Sequence, residues 1–146
     1  MHIKKIFDFI IITILKQLFI NLPVDDVEKS MQLYLAMGFS LNPLFTDKQQ
    51  KCVIWSDTIY VMIQSKAFSN RHLNKTHTDP RQTLTSSHTL PVATDTLVNE
   101  IVENALKAGA KEPLPPLHES FMYLRTIEDL DGYIWGIMHL NIDQFK

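Results

Sequence analysis

Beyond its first 16 residues the chain alternates short apolar runs with polar segments, punctuated by four glycines and seven prolines. Leu18 to Val24 is a β-type run. Asp25 and Asp26 can cap a helix, and Val27, Met31, Tyr34 and Leu35 form one apolar stripe that runs to Met37, with Gly38 as the stop. Leu41 to Phe45, Lys51 to Trp55 and Ile59 to Gln64 then read as antiparallel strands, joined by polar turns at Thr46 to Gln50 and Ser56 to Thr58. The result is a β-α-β-β-β module over residues 17–65.

Residues 66–84 are polar, contain Pro80 and have no clear period, so they read as a connector with a short helix near its start. The first pattern then returns. Leu90-Pro91-Val92 repeats Leu22-Pro23-Val24 at an offset of 90 − 22 = 68. It is followed by a capping Asp95, an amphipathic helix (Leu97, Val98, Ile101, Val102, Ala105, Leu106) and Gly109 as its stop. A Pro-rich edge segment from Glu112 to Pro116, a strand near Phe121 to Thr126, a turn at Asp129-Leu130-Asp131-Gly132 and a last strand from Tyr133 to Leu140 complete a second module over 85–141, with 142–146 as a tail. A half-sheet cannot cover its own apolar face. The expected fold is therefore α+β, with two β-α-β-β-β modules forming a curved eight-stranded mixed sheet around a cleft, helices outside.

Composition narrows the function. With 146 residues, 45% hydrophobic and 21% charged, the chain is expected to form one globular domain. Fourteen Lys+Arg against sixteen Asp+Glu leave a net charge of −2 and no basic surplus for a nucleic-acid backbone, so a small organic partner is expected instead. The lone Cys52 excludes an internal disulfide and a Cys-cluster zinc site, and suits a reducing, cytoplasmic setting. Ile6 to Leu15 follows Lys4 and Lys5 as in a signal peptide. However, Asp8 interrupts the run, no small-residue cleavage site follows before Gln17, and the run is far short of the roughly 20 residues of a membrane span. Residues 1–16 are expected to be a helical extension packed on the body or on a partner chain, without a stable membrane span.

Phe19-Ile20-Asn21-Leu22-Pro23-Val24, Ala36-Met37-Gly38-Phe39, Phe45-Thr46-Asp47, Val61-Met62-Ile63, Phe121-Met122-Tyr123 and Asp129 to Trp135 carry a family resemblance in their order and spacing. Over residues 17–141 the chain resembles the vicinal oxygen chelate superfamily of glyoxalase, bleomycin-resistance and extradiol-dioxygenase proteins. Within it, the chain is most similar to bacterial lactoylglutathione-lyase-related proteins. The resemblance implies a homodimer. In the family's enzymes a divalent metal is held by His, Gln or Glu from equivalent strands of both modules. Those positions fall here on Phe19, Ser87 (87 − 19 = 68), Met62 and Gly136. An aromatic ring, a hydroxyl, a thioether and a bare backbone make a poor ligand set for a hard or borderline cation. No cofactor is therefore expected, and a divalent metal enters only if the strand register slips by one residue, which would bring His88 into play.

By strand alternation in this register, Phe19, Asn21, Tyr60, Met62, Gln64, Ser87, Thr89, Ile134, Gly136 and Met138 share the cleft side, a mixed lining suited to a small organic molecule. The expected ligand-binding set is Phe19, Asn21, Tyr60, Met62, Ser87, Tyr123, Arg125 and Gly136. Arg125 is an anion clamp if it faces inward and a surface charge if it faces outward. His118 and Glu119 are placed at the cleft mouth. Glu119 with Tyr123 is the acid-base pair available to the alternative reading, a lactoylglutathione-lyase-related lyase or isomerase. His88, Trp135 and Tyr133 are expected on the opposite face as packing groups, His72, His77 and His139 as solvated or locally bonded, and Cys52 as a quiet core thiol. The leading expectation is metal-free binding or sequestration of a small molecule.

Overall fold

The computed structural model describes residues 3–5 and 15–145; most of the predicted N-terminal extension lies outside the described residues. The first module runs β1 (Leu18–Val24), α1 (Val27–Ala36), β2 (Ser40–Asn42), β3 (Gln50–Ser56) and β4 (Ile59–Ser65). Asp26 caps α1, its Oδ1 accepting from Lys29 N at 3.1 Å. β2 is shorter than expected, because Asn42 turns the chain into a 3-10 turn at Pro43–Phe45 by accepting from Leu44 N. The connector opens with α2 (Lys66–Leu73).

The second module runs β5 (Ser87–Pro91), α3 (Asp95–Lys107), β6 (Leu117–Glu119), β7 (Met122–Glu128) and β8 (Ile134–Leu140), with a last short helix, α4 (Ile142–Phe145). Two local expectations are corrected. The cap of α3 is Thr94, whose hydroxyl accepts from Leu97 N at 3.1 Å, and Asp95 is the first helical residue with its carboxylate engaged by His139. The edge strand lies after the Glu112–Pro116 segment, because Pro113, Pro115 and Pro116 offer no N–H to a ladder.

The eight strands form two four-stranded sheets of identical topology, β1-β4-β3-β2 and β5-β8-β7-β6, rather than one continuous sheet. In each, the first strand is parallel to the fourth and the others are antiparallel. The modules share one core. Leu22, Val24, Val61 and Ile63 of the first sheet and Leu90, Trp135 and Ile137 of the second belong to a single buried cluster with the apolar faces of α1 and α3. Tyr34 on α1 and Phe39 just beyond it meet Trp135 edge-on, at ring-centroid distances of 5.8 and 6.2 Å.

The turn between β7 and β8 locks this junction. Gly132 has φ +100°, and a Cβ there would lie 2.3 Å from Arg81 N, so only glycine lets the connector pass this close. Tyr133 donates from its hydroxyl to Pro23 O at 2.7 Å, tying the second module to the end of β1. Among the described residues no helix is long and apolar enough to cross a membrane.

Candidate functional site

Each sheet has one face on the shared core and one face turned away from it. In the first sheet Phe19 lies beside Tyr60, Asn21 beside Met62, Cys52 beside Met62 and Ile54 beside Tyr60. Lateral neighbours in a pleated sheet point the same way, so these residues share the outward face. The Phe19 and Tyr60 rings stack at 4.6 Å and 10°, and Gln17 donates to the Tyr60 hydroxyl at 3.2 Å. Phe19 is 46% exposed and Met62 only 8%, which makes an aromatic rim over a thioether floor.

The second sheet repeats the arrangement. Ser87 lies beside Ile134, Thr89 and Thr126 both beside Gly136, and Met138 beside Leu124. Gly136 is the low point of this face. A Cβ there would meet Leu124 Cδ1 and Thr89 Oγ1 at 3.0 Å, so any larger residue would fill the floor. The two ladders also fix the correspondence between modules: Leu22 pairs with Ile63 and Leu90 with Ile137, so the fourth strands are offset by 137 − 63 = 74. Met62 and Gly136 obey the same offset, 136 − 62 = 74, and hold equivalent outward positions.

Six of the eight predicted ligand-binding residues thus lie on the outward faces, Phe19, Asn21, Tyr60 and Met62 on one sheet and Ser87 and Gly136 on the other. Tyr123 and Arg125 do not. Tyr123 donates to Asn99 Oδ1 on α3 at 2.7 Å, and Arg125 reaches the same atom at 3.1 Å. The Arg125 guanidinium forms a fork on Glu112, at 2.8 and 2.7 Å, and a further bond to Glu103 at 2.9 Å. Alternation along β7 places Leu124 and Thr126 on the outward face and therefore Tyr123 and Arg125 against α3. Arg125 is neither a ligand clamp nor a surface charge; it is a buried structural cation. Its hydrogen bonds to Glu112 raise its pKa and lower that of Glu112.

The same pleat separates Glu119 from Tyr123. Glu119 pairs with Met122, whereas Tyr123 pairs with His118, whose ring lies 5.0 Å away. The two residues of the alternative acid-base pair therefore point to opposite faces of the sheet. His118 sits instead near Asp95 and His139, where Asp95 Oδ1 lies 2.7 Å from His139 Nδ1.

The core-facing residues behave as the alternation predicts. His88 packs against Trp135 at 5.0 Å, and burial lowers its pKa, so the ring is held neutral. Cys52 belongs to the outward face, beside Met62, yet it is fully buried and burial raises its thiol pKa, which keeps it quiet. A buried chain not evident in the sequence links the modules: Trp135 Nε1 donates to the Tyr34 hydroxyl at 2.9 Å, which donates to Asp129 Oδ2 at 2.6 Å. Asp129 Oδ1 also accepts from Asp131 N and Tyr133 N. Burial pushes the Asp129 carboxyl up to about 6 despite these bonds, and it raises Tyr34 further above its ordinary range. Its sole signal in the sequence is an acidic turn followed by aromatic residues.

Lys51 carries no sign in the sequence of a role beyond its strand. It is buried against α1, with Nζ 2.9 Å from Glu28, and its equivalent in the second module is Arg125, at 125 − 51 = 74. Both modules therefore place a cation on the inner face of the third strand, bonded to a glutamate of their own helix.

The outward faces do not fit a divalent metal. The four equivalent positions offer only the Ser87 hydroxyl and the Met62 thioether as side-chain donors, where a zinc- or iron-type site needs about three imidazole or carboxylate ligands. Among the described residues no three His, Cys, Asp or Glu side chains converge as such a site. The faces are apolar and aromatic with a few hydroxyl and amide groups.

Residues 16–55, the strand, helix and hairpin start of the first module, match the family described as bleomycin resistance protein-like N-terminal. No curated protein matches the chain in sequence. Solved structures do match in fold. A protein of S. aureus described as hypothetical superposes with a TM-score of 0.73 at 21% identity, covering 86% of this chain and 94% of that one. A glyoxalase-related enzyme of Fulvimarina pelagi gives 0.72 at 20% identity, covering 86% and 88%. A glyoxalase/bleomycin resistance protein/dioxygenase family enzyme of Burkholderia phytofirmans gives 0.70 at 16% identity, covering 84% and 96%. The paired β-α-β-β-β modules and these neighbours show that the chain has the fold of the glyoxalase/bleomycin resistance protein/dioxygenase structures, the vicinal oxygen chelate fold, and its residues 16–55 are similar to the bleomycin resistance protein-like N-terminal family.

Proposed function

We propose that the protein binds and sequesters a small, largely apolar organic molecule on its outward sheet faces, without a metal. The observation behind this reading is the co-facial set Phe19, Tyr60 and Met62 on one sheet with Ser87, Thr89 and Gly136 on the other. Stacked rings and a thioether supply contact area, and the few hydroxyl and amide groups supply orientation. A shallow face open to water on one side holds a ligand weakly. In this reading a second copy completes each site by laying the outward face of its opposite module over it, and the exposed Phe19 and Leu117 are the apolar residues it covers. The protein acts as a homodimeric binder in a cytoplasmic setting, and its ligand leaves unchanged.

The test is a screen of aromatic and aliphatic organic compounds by thermal shift, followed by methyl NMR. Compounds that stabilise the chain should shift the Met62 and Met138 methyl signals, and Phe19→Ala should weaken them about tenfold. Stabilising compounds whose shifts fall elsewhere, with Phe19→Ala unchanged, would remove the assignment to these faces. Sedimentation velocity measures the dimer separately.

A further inference from the structure

Trp55, near the end of β3, stands at the margin of the shared core. Its ring packs on Phe39 at a centroid distance of 5.0 Å, yet it is only partly buried. Because β1 and β4 run parallel and β3 antiparallel to β4, the end of β3 lies at the same end of the first sheet as the start of β1. The chain returns to this end through α1, which stops at Ala36. Between that stop and α3 lies an open groove of about 270 Å³. Buried Met37 and Ile101 form its floor, Trp55 and Leu97 its walls, and Glu100 and Asn104 its polar rim. With no cation and one carboxylate in its lining, the groove suits apolar side chains rather than an anion.

The stretch leading into β1 is fastened beside this groove. Leu18 N donates to Thr58 O at 2.7 Å, and Gln17 Nε2 donates to Asp57 O and to the Tyr60 hydroxyl, both at 3.2 Å. Asp57 and Thr58 are the turn between β3 and β4, and Asp57 follows Trp55 by two residues. The chain that precedes Gln17 therefore sets out from the edge of the groove. Apolar surface is left uncovered at both places, with Leu18 57% and Leu97 36% exposed.

The preceding sequence supplies a cover. Eight of the ten residues 6–15 are Ile, Phe or Leu, and only Asp8 and Thr13 interrupt them. An apolar run of this length is unfavourable in water and needs a face to lie on. The nine residues 6–14 span about 13 Å as a helix and up to about 30 Å extended, against about 7 Å from Asp57 back to Trp55, so they reach the groove in either form. A tether this short gives an effective concentration of roughly millimolar order, so even a weak contact keeps the segment seated.

We propose that residues 6–14 fold back on their own chain and seat apolar side chains in the groove between Trp55 and Leu97, over Met37 and Ile101. The groove is an intramolecular docking site, separate from the outward sheet faces and independent of any ligand bound there.

The experiment uses the full chain with labelled Ile and Leu methyl groups. NOEs are expected, within one chain, from the Ile methyls of residues 6–14 to the Trp55 indole and to the Leu97 and Ile101 methyls. Acrylamide quenching gives a second reading, because Trp135 is fully buried and Trp55 is the accessible tryptophan. Ile11→Asp and Leu97→Asp should each raise the quenching constant about twofold, and the double variant should raise it no further, as for partners in one contact. Leu97 lies in the first turn of α3, where an acidic residue is tolerated, so the variant keeps its fold and a native methyl spectrum. NOEs that appear only between differently labelled chains would place the segment in the groove of a second copy. Absent NOEs with quenching unchanged by Ile11→Asp would leave the groove to another occupant. Either result, or effects that add in the double variant, would overturn the proposal.

Discussion

Asp129→Asn is the most informative perturbation of the junction between the modules. In the folded chain Asp129 is buried under the Tyr34–Trp135 pair, and its carboxyl titrates at about 6, against 3.8 for the free side chain. The difference, 6 − 3.8 ≈ 2.2, corresponds to about 3 kcal/mol at about 1.36 kcal/mol per unit. Because the folded pKa is raised, the carboxyl favours the folded state in its neutral form. That contribution is complete below pH 3.8 and is lost as pH rises through about 6. Wild type should therefore lose about 3 kcal/mol through this group between acid and neutral pH, most of it from about pH 4 to 7. The amide of the variant cannot ionise, so its stability curve lacks this decline. Urea unfolding of both proteins at several pH values measures the effect as a difference between the curves, in which carboxylates with lowered pKa such as Asp25 and Glu112 cancel. The wild-type curve should fall relative to that of the variant as pH rises. Parallel curves would mean that Asp129 is ionised without penalty in the fold, and the argument from its burial would fail.

Five further substitutions have expected outcomes. Tyr34→Phe removes the hydroxyl between Trp135 and Asp129 and should cost about 1.5–3 kcal/mol at pH 7 by urea unfolding; a loss under about 0.5 kcal/mol would refute the buried chain. Arg125→Met leaves Glu112 and Glu103 without their cation and should destabilise the fold by about 3 kcal/mol, while leaving the affinity of any compound bound on the outward faces unchanged. Weaker binding by that variant would return Arg125 to the ligand site. Gly136→Leu should fill the floor between Thr89 and Leu124, cost about 1–3 kcal/mol and abolish binding to the second sheet, whereas Phe19→Ala should weaken binding and cost under about 1 kcal/mol because the ring is half exposed. Gly132→Ala should cost more than either, since a Cβ meets connector backbone that cannot rotate away, as thermal unfolding will read.

Most of the architecture is legible in the chain because each signal there is local. The Leu22-Pro23-Val24 and Leu90-Pro91-Val92 repeats, the Asp26 cap, and Gly38 and Gly109 beyond the helices, both at φ +107°, punctuate the modules wherever the backbone demands it. The outward positions Phe19, Met62, Ser87 and Gly136 follow from the family resemblance; the 68-residue repeat relates only Phe19 to Ser87, because the fourth strands are offset by 136 − 62 = 74. What stays hidden depends on contacts between distant segments. The face taken by Tyr123 and Arg125 is decided by Asn99, Glu103 and Glu112, which period-2 reasoning on an isolated strand cannot see. Thr94 rather than Asp95 caps α3 because His139, 44 residues away, holds the Asp95 carboxylate. The Tyr34–Asp129 bond spans 95 residues, and the seat of His77 on Ser69 needs α2 and the rest of the connector to be folded together.

The central claim, that the outward faces hold an organic molecule and no metal, is tested most directly by metal content. The chain would be incubated anaerobically with zinc, nickel, iron and manganese, desalted, and assayed by elemental mass spectrometry. The donor set Phe19, Met62, Ser87 and Gly136 predicts less than about a tenth of an equivalent of each metal. About one equivalent of any of them, lost on Ser87→Ala, would contradict the account and make a chelating enzyme the better description.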